Sequence, residues 1–176
     1  MIFSQRTKRT LLKALCVAAL FIPTKAQAND SDTRPPLKNI TLEASMKTME
    51  AIAIGIKGDH KQEEILLNEA LEIYNKGLDK EPENLHLLKG RGLVKDHMEE
   101  GSGDDDLNKV IDIATKKIED DPKHAYSYYH RASAYRSLKK FDKARDDYKK
   151  AIELRPDKEN WPIDLKAMEL QAKQAQ

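Results

Sequence analysis

Beyond Pro36 the apolar residues of the chain recur at three- and four-residue spacings, and no stretch sustains the strict alternation of a half-buried strand. That is the period of a helix with one buried stripe, so the pattern predicts helices joined by turns. Three prolines punctuate it in similar settings: Glu81-Pro82-Glu83-Asn84, Asp121-Pro122-Lys123-His124 and Arg155-Pro156-Asp157-Lys158. Each follows a helical run and should end it, because a residue before proline is pushed out of the helical region.

Counting back from the prolines reveals a shared register. Eight residues upstream stand Tyr74, Ala114 and Tyr148; twelve upstream stand Ala70, Val110 and Ala144. Pro122 and Pro156 are 34 residues apart, whereas Pro82 and Pro122 are 40 apart, and Glu99-Glu100-Gly101-Ser102-Gly103-Asp104 is where the six extra residues fit. With those removed, Gly58, Gly92 and Ala132 lie 24 residues before their prolines, and Ile54, Leu88 and Tyr128 lie 28 before. Two antiparallel helices pack closely when one offers a small residue where the other offers a large one. Gly58, Gly92 and Ala132 are therefore expected to receive bulk in the first helix of each unit. Ala70 and Ala144 do so in the second, while Tyr74 and Tyr148 fill the space toward the next unit.

The segment from Ala125 to Lys158 carries this pattern most fully, with Tyr128, Ala132, Tyr135, Phe141, Ala144, Tyr148, Ala151 and Pro156 in place. It resembles the tetratricopeptide repeat family, whose unit is a 34-residue helix-turn-helix with small residues and a closing proline at set positions. The resemblance implies an all-α fold, an α-solenoid of about three such units over residues 41–84, 85–124 with a loop insertion at 99–104, and 125–158. Residues 159–176 would form a capping helix, anchored by Trp161, over the last apolar face. The other two units depart from the pattern: Lys61 and Lys95 stand where the last has Tyr135, and Lys117 stands where it has Ala151. Ser45 to Lys57 is expected as the first helix of the first unit.

In that family the first helices line a concave groove that holds a partner's peptide or helix. Carried over by register, the groove residues would be His86, Lys89, Leu93 and Asp96 from the middle unit and Tyr126, Tyr129, Ser133 and Arg136 from the last. Both sets rise by three, four and three residues, which keeps each on one helical face. Aromatic rings beside a Lys and an Arg suit a segment with a carboxylate and apolar side chains. Members that clamp the tails of heat-shock chaperones carry Asn where this chain has Leu93 and Ser133, so a cytosolic chaperone tail is not the expected ligand.

The amino-terminal end changes the picture of where this happens. The first 28 residues hold five Lys or Arg and no Asp or Glu, then the apolar run Ala14 to Ile22, then Pro23 and Ala26-Gln27-Ala28. This order reads as a signal peptide cleaved near Ala28, and predicts a periplasmic or secreted bacterial protein. The nine-residue apolar run is short of the roughly 20 residues that span a bilayer, so no stable membrane insertion is expected. Lipidation at Cys16 is disfavoured by Leu15 before it, and a mitochondrial transit peptide by the unbroken apolar run. Residues 29–40 read as a flexible polar lead. Asn39-Ile40-Thr41 is a glycosylation sequon, meaningful only in a eukaryotic source.

Of the chain's 31 basic residues, 26 remain after cleavage against 30 acidic ones, a net charge of about −4 with His neutral. No basic patch is clustered, which argues against nucleic acid and leaves protein or peptide as the expected partner. No nucleophile with a base, no phosphate-binding glycine loop and no ligand cluster appears, so neither an enzyme nor a cofactor is expected. The acidic loop at 99–106 lacks the spaced oxygen ligands of a calcium site, and Asp104 or Asp105 is expected to cap the next helix. His86 and His97 are expected at the surface. Met46, Met49, Ile52, Ala53 and Ile56 form an apolar stripe, expected to be core against the second helix; a homo-oligomer through it is the alternative.

Overall fold

The computed structural model describes residues 35–175. The expected signal peptide, and the lead up to residue 34, lie outside the described residues. Seven helices follow one another among them: α1 (Pro35–Ile56), α2 (His60–Leu78), α3 (Leu85–Met98), α4 (Asp104–Asp120), α5 (Ala125–Ser137), α6 (Phe141–Leu154) and α7 (Trp161–Gln174). Helices α1, α3 and α5 each pair with the next one; α2 packs on α3, α4 on α5, and α6 on α7. The result is an all-α solenoid of three helix-turn-helix units with a terminal helix.

The proline turns do two jobs in a few residues. Pro82 and Pro122 follow the ends of α2 and α4, and two residues later Asn84 and His124 start the next helix. Asn84 Oδ1 accepts from the backbone N–H of His86 and of Leu87, each at 3.1 Å. His124 Nδ1 accepts from Ser127 N–H at 3.3 Å. These satisfy donors that a helix start leaves without an intrahelical partner.

Two cores run along the stack. The first joins α1 to α4 around Ala51, Leu67, Tyr74, Leu87, Leu88, Leu107 and Val110. The second joins α5 to α7 and is rich in alanine: Ala125, Ala132, Ala144 and Ala151 let the helices approach, while Tyr129, Tyr148, Trp161 and Met168 fill the space between. Leu88 belongs to the first core, Tyr128 and Tyr135 pack at the edge of the second, and Pro156 is exposed in its turn.

The first unit departs from the expected register. Gly58 packs against nothing: it is exposed, has φ +97°, and a Cβ there would meet no atom within 4 Å. It breaks the chain between α1 and α2, and Asp59 then caps α2 by accepting from Gln62 N–H at 3.1 Å. Because α2 starts so early, the small residues that face it sit further back on α1. Ala44, Thr48, Ala51 and Gly55 are buried at spacings of four, three and four. Ile54 lies half-buried at the edge of the first core.

Helix α1 also begins at Pro35, inside the segment expected as a lead. Proline suits a first helical turn, since it has no N–H to leave unpaired, and Ile40 packs on the first core beside Gly77. The methionine stripe of α1 divides: Ile52 is buried and Met49 half-buried, whereas Met46, Ala53 and Ile56 are exposed. Neither Asp104 nor Asp105 caps α4. Gly103 holds the cap position with no side-chain bond, because its backbone lies against that of Gly92 and leaves no room for a side chain.

Candidate interaction site

The eight residues expected to line a groove come from α3 and α5, neighbouring helices on one side of the stack. The structure does not leave them open. Lys89 is 5 % exposed, Leu93 4 %, Tyr129 7 %, Ser133 0 % and Arg136 2 %. His86, Asp96 and Tyr126 are half-buried. For the α5 residues the cover is α7, whose position in space no local pattern in the sequence states.

Tyr129 and Trp161 stack with ring centroids 4.8 Å apart and planes 14° apart. The Tyr129 hydroxyl donates to Asp164 Oδ2 at 2.8 Å. Further along α7, Arg136 Nε donates to the Gln171 side-chain oxygen at 2.9 Å. Tyr126 meets Trp161 edge-on at 5.4 Å, with the Lys158 ammonium 4.9 Å from its own ring centre. The Lys89 ammonium stands 5.8 Å from the centre of the Tyr129 ring.

Charge here is deliberately placed in a dry setting. Burial lowers the pKa of Lys89, and Arg136 lowers it further, against the pull of Asp164. Burial raises the pKa of Asp164, opposed by its bond from Tyr129 and by the fields of Lys89 and Arg136. Two cations therefore face one carboxylate. Arg136 Nη1, Ser133 Oγ and Tyr148 Oη are buried without a well-formed hydrogen bond, so the polar floor is only partly satisfied.

Two expected groove residues serve other purposes. His86 meets His130 edge-on, ring centroids 4.2 Å apart, and burial holds both histidines down, His86 to about 3 and His130 well below its ordinary value. Asp96 accepts from Gly101 N–H at 2.7 Å and so ties the inserted loop to α3. His97, expected at the surface, is half-buried and bonds Glu63 across the units, Nε2 to Oε1 at 2.9 Å. Lys95 reaches Asp106 at 3.2 Å.

A pair of residues not anticipated ties the units together. Arg91 donates through Nε and Nη2 to Asp106 at 2.8 and 2.6 Å, and through Nη1 to Asn75 at 2.8 Å. Arg131 does the same with Asp147 at 2.7 and 2.8 Å and with Thr115 at 3.1 Å. Each arginine thus clasps the second helix of its own unit and that of the preceding one. The signal was present: Arg91 and Arg131 share one register, as do Asn75 and Thr115. Gly90 was also missed. A Cβ there would lie 2.4 Å from the Tyr74 ring, so Gly90 receives that tyrosine, while Gly92 faces Gly103 and Leu107.

With this geometry in view, the comparisons place the last unit. A family model described as tetratricopeptide repeat matches residues 125–158. Residues 125–158 form a tetratricopeptide repeat. This repeat holds Tyr126, Tyr129, Ser133 and Arg136 and supplies most of the surface that α7 covers. Among solved structures the chain is similar to the first tetratricopeptide domain of Spaghetti (RPAP3) bound to an HSP90 peptide, at 22 % identity, over 70 % of this chain and 94 % of that one, TM-score 0.40. It is similar also to the first such domain of human RPAP3, at 21 % identity, over 78 % and 94 % of the two chains, TM-score 0.44. No curated protein matches the chain. Among the described residues no group of three or more His, Cys, Asp or Glu is placed to hold a metal ion. No described helix is long and apolar enough to cross a membrane.

Proposed function

We propose that the protein is an interaction module that holds a partner polypeptide on the face formed by α3 and α5. The observation that carries this reading is the burial of Lys89 and Arg136 beside the flat ring of Tyr129, whose hydroxyl donates to the single Asp164 carboxylate between their fields. A cationic, partly unsatisfied floor with an aromatic platform is suited to an acidic and aromatic segment, because charge-assisted bonds gain strength where water is excluded. Photo-crosslinking tests it. A photoreactive side chain replacing half-buried Tyr126 should capture the partner, and one replacing exposed Lys149 on α6 should not. The reverse pattern moves the site to the other face.

We infer further that the chain is exported to the periplasm or beyond, on the strength of the basic, apolar and small-x-small order of residues 1–28. Mass analysis of the purified natural protein should find Asn29 at its amino terminus. A second reading, assembly of copies through the terminal helices, draws on the exposed Leu42 and Met46 of α1 and Ile163 and Leu170 of α7. A monomer in light scattering at micromolar concentration would count against it.

A further inference from the structure

The α5 half of the face assigned above to a partner is already covered by α7. Trp161, Asp164 and Met168 of α7 are buried, and Gln171 is half-buried beside them, at spacings of three, four and three. The first two bring what the proposed ligand would bring: Trp161 lies on the Tyr129 ring, and the Asp164 carboxylate takes the Tyr129 hydroxyl bond between the fields of Lys89 and Arg136.

The match is incomplete. Gln171 offers Arg136 a neutral amide oxygen where a carboxylate would form a charge-assisted bond. Arg136 Nη1 and Ser133 Oγ stay buried without a well-formed hydrogen bond. The outer face of α7 is also apolar, with Ile163 68 % and Leu170 54 % exposed. Helix α7 joins α6 through the turn residues 155–160, and Asn160 gives it no side-chain cap. A helix apolar on both sides and held by imperfect polar contacts can be exchanged for one with better contacts, supplied at a concentration that offsets the tether.

We propose that α7 is an intramolecular stand-in for the partner, and that the partner is an amphipathic helix with an aromatic residue, a carboxylate three residues later and a second carboxylate seven residues after that. It seats on Tyr129, Lys89 and Arg136 by displacing α7. The second carboxylate takes the place of Gln171 and gives the partner its advantage. This rests on the reading of the α3–α5 face as the binding face.

Trp161 is the chain's one tryptophan, so its emission reports the docking of α7 directly. The probe is a synthetic peptide of the α7 sequence carrying Trp161→Phe and Gln171→Glu, added to the full chain. Its binding should shift the protein's tryptophan emission to the red and saturate, and the same peptide with Asp164→Asn should need at least tenfold more. In the protein, Gln171→Glu should raise the peptide concentration required by about tenfold, and Asp164→Asn should lower it by a similar factor. Circular dichroism checks that both variants keep their helices. Unchanged emission up to millimolar peptide overturns the proposal, as does a Gln171→Glu protein that opens more easily or a dimer formed by exchange of α7. A peptide that crosslinks at Tyr126 while Trp161 stays buried also overturns the displacement, yet leaves the binding face where it was assigned.

Discussion

A Cβ on Gly103 would stand 1.9 Å from the carbonyl oxygen of Gly92. Backbone meets backbone at that point, which is how α4 returns onto α3 after the insertion at 99–104 has left the helix pair. Gly103→Ala should force the two helices apart and cost about 3 kcal/mol, the upper range for overpacking. Gly101→Ala meets no neighbour but has φ +85°, so it should cost about 1–2 kcal/mol through the backbone alone. Urea midpoints of the two variants should fall in that order; a larger loss at Gly101 would mean the Gly92 contact relaxes.

The arginine clasps give a second expectation. Asp147 is 7 % exposed and receives two bonds from Arg131, so Arg131→Ala leaves a nearly buried carboxylate without its partner. Removing one side of a buried pair costs about 3–5 kcal/mol, and the partial exposure here brings that to about 2–3. The double variant Arg131→Ala with Asp147→Ala should recover part of the loss, and the coupling is read from a thermodynamic cycle. Additive effects would show that the pair contributes nothing of its own.

Acid should weaken the fold through the histidine pair. Burial depresses both His86 and His130, so above about pH 6.5 they are neutral folded or unfolded and contribute no pH dependence. As pH falls below that value, only the unfolded chain takes up the protons, and stability drops until the folded values are reached. Each histidine gives a slope of about 1.4 kcal/mol per pH unit at most. Denaturation followed between pH 7 and pH 4 should show the decline, and His130→Gln should flatten it; an unchanged slope would place the acid sensitivity elsewhere.

Lys139 carries φ +58°, the one non-glycine residue in the left-handed region among those described. Here the chain leaves α5, with Lys140 N–H bonding Tyr135 O at 2.8 Å. Lys139→Gly should remove a backbone cost of about 1 kcal/mol, less a few tenths for the exposed pair with Glu100. A small rise in melting temperature, larger at high salt where the pair is screened, is the expected result. A fall at every salt concentration would mean that the added freedom of the unfolded chain outweighs the strain.

Much of the architecture was legible along the chain because it is local chemistry. Proline turns end α2, α4 and α6, and Asn84 and His124 start the helices that follow Pro82 and Pro122. Ala132 and Ala144 are fully buried at places the shared register had marked for small residues, and Ala151 is fully buried where the family resemblance marked one. The first unit was misread where two local signals competed. Gly58 fits the repeat register, but Lys57-Gly58-Asp59 is also a helix stop followed by a cap, and the stop prevailed. A glycine with positive φ and a capping Asp act at once on the backbone, whereas register matters only when a neighbouring helix is present to enforce it.

By itself, then, the order of residues determined three pairs of helices and a terminal one over the described residues, their repeat spacing and the tyrosines and alanines that let them stack, since period, caps and breakers act over a few residues. Only the folded arrangement decided that Tyr129 and Arg136 lie beneath α7 with Lys89 beside the Tyr129 ring, that Asp96 holds a loop and that Gly90 takes Tyr74. Those outcomes depend on which surface α7 meets and how far each helix is rotated and displaced against the next. Burial and hydrogen bonding between residues 35 positions apart, such as Tyr129 and Asp164, are set by that geometry and by no pattern along the chain.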